Sequence, residues 1–151
     1  MAAGGLAEAR EGDVARAPAD ASAARLCLPP IIVRTEADAV AKFRRETGAP
    51  AIEGLVPLTF PFCWLTLPAI RPMIREMIGG DDVLPVHEAQ SFSYERSLEI
   101  DSDYVFAVEL RREANPPRLN LDAAISTPQG EICGRLETVL RLVPIASGSA
   151  P

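Results

Sequence analysis

The sequence predicts an α+β domain in which an antiparallel sheet wraps around a long central apolar helix. Two observations lead there. A stretch from Phe60 to Ile78 carries apolar residues at helical spacing, and four strand-like segments joined by short turns follow it. A sheet with one apolar face and a helix apolar nearly all round bury each other in one obvious way. The sheet curls about the helix and turns its polar side to water.

The elements follow in chain order. Residues 1–28 are rich in Ala and interrupted by Glu8, Glu11, Asp13 and Asp20. They hold too little apolar surface to offset their ordering entropy, so a disordered tail is expected. Pro29-Pro30-Ile31-Ile32-Val33-Arg34 reads as a short strand with prolines at its start. A helix should begin at Thr35, whose hydroxyl can cap the amide three residues on while Asp38 reaches back. It should run to Thr47 with Val40, Phe43 and Ala39 inward, and Gly48 suits the left-handed residue that closes it.

The central stretch places Ile70, Met73, Ile74, Met77 and Ile78 on one side and Arg71, Arg75 and Glu76 on the other. Pro68 and Pro72 each remove a helical donor, so the segment must kink or comprise two pieces. Strands are expected from His87 to Leu98, Tyr104 to Arg112, Leu119 to Ser126 and Glu131 to Leu142. Asn115-Pro116-Pro117 and Thr127-Pro128-Gln129-Gly130 are turns, so the four should form an antiparallel meander. One domain over residues 29–145 results, with residues 146–151 as a short disordered tail.

Charge and composition narrow the function. The chain of 151 residues carries a net charge of −6, which offers no basic field to a nucleic acid. No run reaches the roughly 18 apolar residues that a membrane span requires. The tail has neither the apolar core of a secretory signal nor the acid-poor character of a transit peptide. Cys27, Cys63 and Cys133 are odd in number and widely spaced, which fits neither a disulfide framework nor a zinc site. A reducing cytoplasm is the expected compartment.

Three pieces, in this order and spacing, resemble MaoC-like (R)-specific enoyl-CoA hydratases and 3-hydroxyacyl dehydratases. The first is the capped helix ending in Thr47-Gly48. The second is Val56-Pro57-Leu58-Thr59-Phe60-Pro61 with Leu65, Leu67-Pro68 and Met73, where Phe62 replaces a histidine often found in the family. The third is Leu84-Pro85-Val86-His87 with Phe92, Tyr94, Arg96 and Leu98. The resemblance covers about residues 30 to 144. It implies the hot-dog fold and an acyl thioester ligand, on CoA or acyl carrier protein, with no cofactor. It also implies a homodimer, or a heterodimer with a catalytic hot-dog subunit.

The resemblance locates a gap as well. Family enzymes follow the first helix with Thr/Ser-Gly-Asp-x-Asn-Pro-aliphatic-His, whose Asp and His activate water. Here Ala49 stands at the Asp position and Gly54 at the His position, with Glu53 one residue short. The chain therefore resembles the family's dyad-less halves, which shape the acyl tunnel for a catalytic partner.

Hydration of a conjugated thioester requires a proton-transfer pair and donors for the thioester oxygen. His87 is the only histidine, and Asp82 precedes it at the family's Asp-to-His spacing, so Asp82 and His87 are the catalytic candidates. Set against them is a strand-entry histidine at a sheet edge. Glu53 is a lone carboxylate on a loop, and Cys63 on an apolar helix reads as core. Phe62, Trp64, Met73 and Met77 could line an acyl tunnel or simply pack the core. Arg71, with Arg75 one turn on, could meet CoA phosphates or sit in solvent. Three functions follow: a dyad-less dehydratase/hydratase subunit, a self-sufficient enzyme using His87 with Asp82 or Glu53, and a non-enzymatic homodimeric acyl-CoA binder.

Overall fold

The computed structural model describes residues 24–146. The expected tails lie mostly outside them, at residues 1–23 and 147–151. The N-terminal tail boundary at Leu28 is corrected, because Ala24–Cys27 forms a strand, β1. Strand β2 is Ile31–Arg34, helix α1 Ala37–Thr47 and helix α2 Arg71–Ile78. Four long strands follow: β3 Val83–Tyr94, β4 Asp103–Ala114, β5 Pro117–Ser126 and β6 Ile132–Pro144.

All strand pairs are antiparallel, in the order β1-β4-β5-β6-β3, with β2 also on β4. β1 faces Glu109 to Arg112 and β2 faces Asp103 to Phe106. The two are halves of one edge strand, interrupted where Pro29 and Pro30 lack the N–H that a ladder requires. Only β4, β5 and β6 follow one another as a meander. The expected four-strand meander is corrected, since β3 pairs with β6. Residues 95–102 make no tight turn. They cross the domain, burying Leu98, whose carbonyl accepts from the Val56 amide at 2.9 Å.

The inner face of the sheet holds the core. Phe106, Val108 and Leu110 of β4, Leu119, Leu121 and Ile125 of β5, and Leu136 and Leu142 of β6 alternate with outward polar residues. Against them lies the central helix, in two pieces as its prolines require. Phe60–Thr66 is a 3₁₀ segment, and α2 begins one residue before Pro72, where a missing N–H costs nothing. Pro68 falls in the turn between the pieces. Ile70 and Ile78 are buried at the two ends of α2.

Helix α1 ends as expected, with Gly48 left-handed at φ 69° and its amide on the Arg44 carbonyl. Its start differs. Thr35 caps nothing on its own helix; its hydroxyl bonds to the Glu99 carbonyl and the Ser102 amide. The Ala37 amide donates instead to Asp101 Oδ1 at 3.0 Å. A carboxylate from the crossing segment does the capping. Val40 is fully buried and Phe43 half-buried, while Ala39 faces solvent, against expectation.

Candidate acyl-binding site

Strand β3 lies at one edge of the sheet, and a bulge shapes it. His87 faces Leu140 and Ala89 faces Val139, so Glu88 is the extra residue. Residues three apart on a regular strand point to opposite faces. The bulge removes that constraint. His87 and Gln90 thereby stand opposite Leu140 and Thr138, successive inward positions on β6.

Glu88 is driven to the outer face, where Arg118 holds it at 2.6 and 2.9 Å and Arg141 at 3.1 and 3.2 Å. Hydrogen bonds from Arg118 and then Arg141 hold its carboxyl down at about 2. The nearest carboxylate in sequence to His87 is thus committed elsewhere. The imidazole stacks on Phe62, with centroids 5.6 Å apart and planes at 16°.

Beside this stack, between the 3₁₀ segment, α2, β3 and β6, is a cavity of 230 Å³. Leu65, Ile74, Ile78, Leu121 and Leu140 give it apolar walls, and Phe62 and Pro85 stand at its β3 side. Arg71 and Arg75, one turn apart on α2, both line it and are exposed. Thr138, only 2% exposed, is part of the wall, and its hydroxyl is bonded to Gln90. The site suits an apolar chain whose anionic end meets guanidinium groups outside.

The expected residues divide. Phe62 and Arg71 line the cavity, and His87 abuts it through Phe62. Trp64 does not: it is 4% exposed and packs edge-on against Phe106 at 5.3 Å and Phe60 at 5.9 Å. Met73 and Met77 are half-buried against the core and do not line the cavity, because they lie off the Arg71/Ile74/Ile78 face of α2. Asp82 and His87 do not form a pair. Four residues at the start of β3 lie between them, five steps of chain or roughly 16 Å at the usual rise per residue. Glu53 is exposed, and so is Cys63, against its reading as core; the desolvation that its surroundings impose pushes the thiol up, away from a reactive thiolate. Gln90 and Thr138 were not singled out by sequence. The signal available was Glu88, a charge that strict alternation from Phe92 and Tyr94 would send inward.

The loop at the family's dyad positions is built differently. Arg44 of α1 donates through Nη2 to the carbonyls of Ile52 and Leu55. Ala49 lines a second, apolar cavity of 460 Å³ with Ile52, Leu55 and Leu58. Gly54 turns at φ 73°. The Tyr94 hydroxyl donates to the Leu58 carbonyl, and burial pushes that phenol up to about 12. No proton-transfer pair stands on this loop. Among the described residues no His, Cys, Asp and Glu group is arranged to hold a metal ion.

Solved structures with the same architecture define the fold. The chain is similar to the 3R-hydroxyacyl-ACP dehydratase complex HadBC of Mycobacterium tuberculosis, at 11% identity and a TM-score of 0.57, covering 78% of this chain and 95% of that one. It is similar to the (R)-hydratase from A. caviae, involved in PHA biosynthesis, at 17% identity and a TM-score of 0.55, covering 80% and 94%. A probable thioesterase from Bartonella henselae matches at 11% identity and a TM-score of 0.55, covering 79% and 92%. No family model matches the chain, and no curated protein does. The fold is the α+β hot-dog fold. Hydratases, dehydratase subunits and thioesterases share it.

Proposed function

We propose that this chain is a dyad-less hot-dog subunit that binds an acyl thioester, on CoA or acyl carrier protein, and pairs with a catalytic hot-dog domain. One observation carries the reading. An apolar cavity with an arginine rim is present, while the chain's only histidine stands roughly 16 Å along the strand from Asp82. Binding elements are assembled, and the acid–base pair is not. Ala49 and Gly54 at the family's dyad positions agree with this. The proton transfers would fall to an Asp and a His on the partner.

The free edge of β3 is where a second sheet would add. Among the described residues β3 pairs only with β6, and Leu84 and Val86 leave 51% and 43% of their surface exposed beside it. The partner would be a catalytic hot-dog subunit or, in its absence, a second copy. Three free cysteines fit a reducing compartment, the cytoplasm, and no helix among the described residues is long and apolar enough to cross a membrane.

Calorimetric titration of the full chain with octanoyl-CoA tests the reading. Saturable binding is expected, and Ile74→Trp, which fills the cavity, should abolish it while leaving the circular dichroism unchanged. Equal binding by Ile74→Trp would move the site elsewhere, and absence of binding by the native chain would refute the acyl-thioester reading.

A further inference from the structure

Among the cavity's polar groups, one is set apart. Arg71 and Arg75 are exposed at the rim, and the Thr66 hydroxyl is occupied by the Cys63 carbonyl at 2.7 Å. Thr138 alone is buried in the wall. Its hydroxyl donates to Gln90 Oε1 at 2.7 Å, and this leaves Gln90 Nε2 buried without a hydrogen-bond partner. A buried, unpaired N–H is rare in folded proteins and costly. It sits beside the hydroxyl of Thr138, the one buried polar residue in the cavity's lining.

The two ends of a carboxamide are nearly the same shape, so a half-turn of the Gln90 amide exchanges them with little steric consequence. After the exchange Nε2 donates to Thr138 Oγ, and the Thr138 hydrogen is released toward the cavity. There that hydrogen requires an acceptor oxygen. With an acceptor oxygen present, the Thr138 O–H and one Gln90 N–H are both paired, where before the exchange no Gln90 N–H was. A purely alkyl ligand gains nothing from the exchange.

We propose that Thr138, with Gln90 behind it, is the specificity group of this cavity and donates a hydrogen bond to an oxygen on the bound chain. The inference rests on the acyl-thioester reading above and names what that ligand must carry: a thioester carbonyl or a chain hydroxyl within reach of the Thr138 Oγ. The regular register of β3 on β6 makes the arrangement possible: alternation from Tyr94 and Phe92 brings Gln90 to the inner face opposite Thr138.

The test is calorimetric titration of the full chain with three probes: S-octyl-CoA, a thioether with no chain oxygen; octanoyl-CoA, which adds the carbonyl; and 3-hydroxyoctanoyl-CoA, which adds the hydroxyl. At least one added oxygen should tighten binding about tenfold, the worth of one well-placed hydrogen bond. The step at which the gain occurs identifies which oxygen is read. Thr138→Val should erase the gain and Gln90→Leu reduce it, the gain being read within each variant as the ratio of its affinity for the oxygen-bearing probe to its affinity for S-octyl-CoA. The double variant Gln90→Leu/Thr138→Val, which leaves no orphaned polar group, keeps the test available if a single variant fails to fold. Gains that survive Thr138→Val would overturn the proposal. Equal affinity of the native chain for all three probes would overturn it while leaving acyl-thioester binding intact. Binding of none would overturn both.

Discussion

Gly134→Ala examines the contact that ties the sheet to the loop at the family's dyad positions. Gly134 of β6 faces Tyr94 of β3. A methyl group there would lie 2.8 Å from the Ser93 carbonyl oxygen and 2.8 and 3.1 Å from the edge of the Tyr94 ring. The ring could swing away, but the carbonyl belongs to the backbone of a paired strand and cannot yield cheaply. Overpacking of this kind costs about 1–3 kcal/mol. A displaced Tyr94 also loses its hydrogen bond to the Leu58 carbonyl, about 0.5–1.5 kcal/mol. Alanine's lower chain entropy returns about 0.5–1 kcal/mol. At the middle of these ranges the net loss is about 2 kcal/mol, or a fall in Tm of roughly 5–8 °C for a domain of this size. Differential scanning calorimetry reads it, with Tyr94→Phe as the control that removes only the hydrogen bond and should cost a few degrees. A Gly134→Ala protein that melts within about two degrees of the native chain would refute the close packing argued here.

Three further outcomes are expected. Glu88 has its folded pKa held below its unfolded value, so its stabilising contribution is present above the ordinary carboxylate range and lost as pH falls toward about 2. The Tm difference between the native chain and Glu88→Gln should therefore close across that window; a constant difference would mean that the Arg118 and Arg141 contacts do not act through charge. Asp122 behaves oppositely. Burial pushes its pKa up, as do Glu137 and Glu109, its register neighbours on the outer face, against the opposing pull of Arg111. Its contribution is present below the unfolded value and lost as pH rises through the folded one, so Asp122→Asn should raise the Tm near neutrality and have no effect under more acid conditions. Finally, sedimentation of the chain alone should show a two-chain species that Leu84→Lys/Val86→Lys weakens, whereas an association indifferent to that change would place the interface away from β3.

Much of the fold was legible because it rests on local rules. Gly48 closes α1, Pro68 and Pro72 split the central helix, and the turns at Asn115 and Thr127 pair β4 with β5 and β5 with β6. What was hidden depends on contacts far apart in sequence. Thr35 looked like a cap because the carboxylate that does the capping, Asp101, belongs to the distant crossing segment. β3 was expected beside β4 because adjacency in sequence is the usual guide, and nothing local announces a crossing at residues 95–102.

The candidate site was half legible for the same reason. Arg71 and Phe62 follow from helical spacing and from the resemblance, and both reach the cavity. Trp64, Met73 and Met77 are apolar on the same stretch, but the sheet decides which of them packs the core. Gln90 and Thr138 meet only through the register of β3 on β6, and His87 reaches the same face only through the bulge at Glu88. Alternation alone cannot supply a bulge, although a charged residue at an inward position was its trace.

The central claim is that binding and chemistry are divided between this chain and a partner. The most direct test is to incubate the purified chain alone with crotonyl-CoA and with trans-2-octenoyl-CoA and follow the enoyl absorbance. The account predicts no hydration of either substrate, although octanoyl-CoA binds. Turnover that disappears in His87→Ala would contradict it and place the chemistry on this chain.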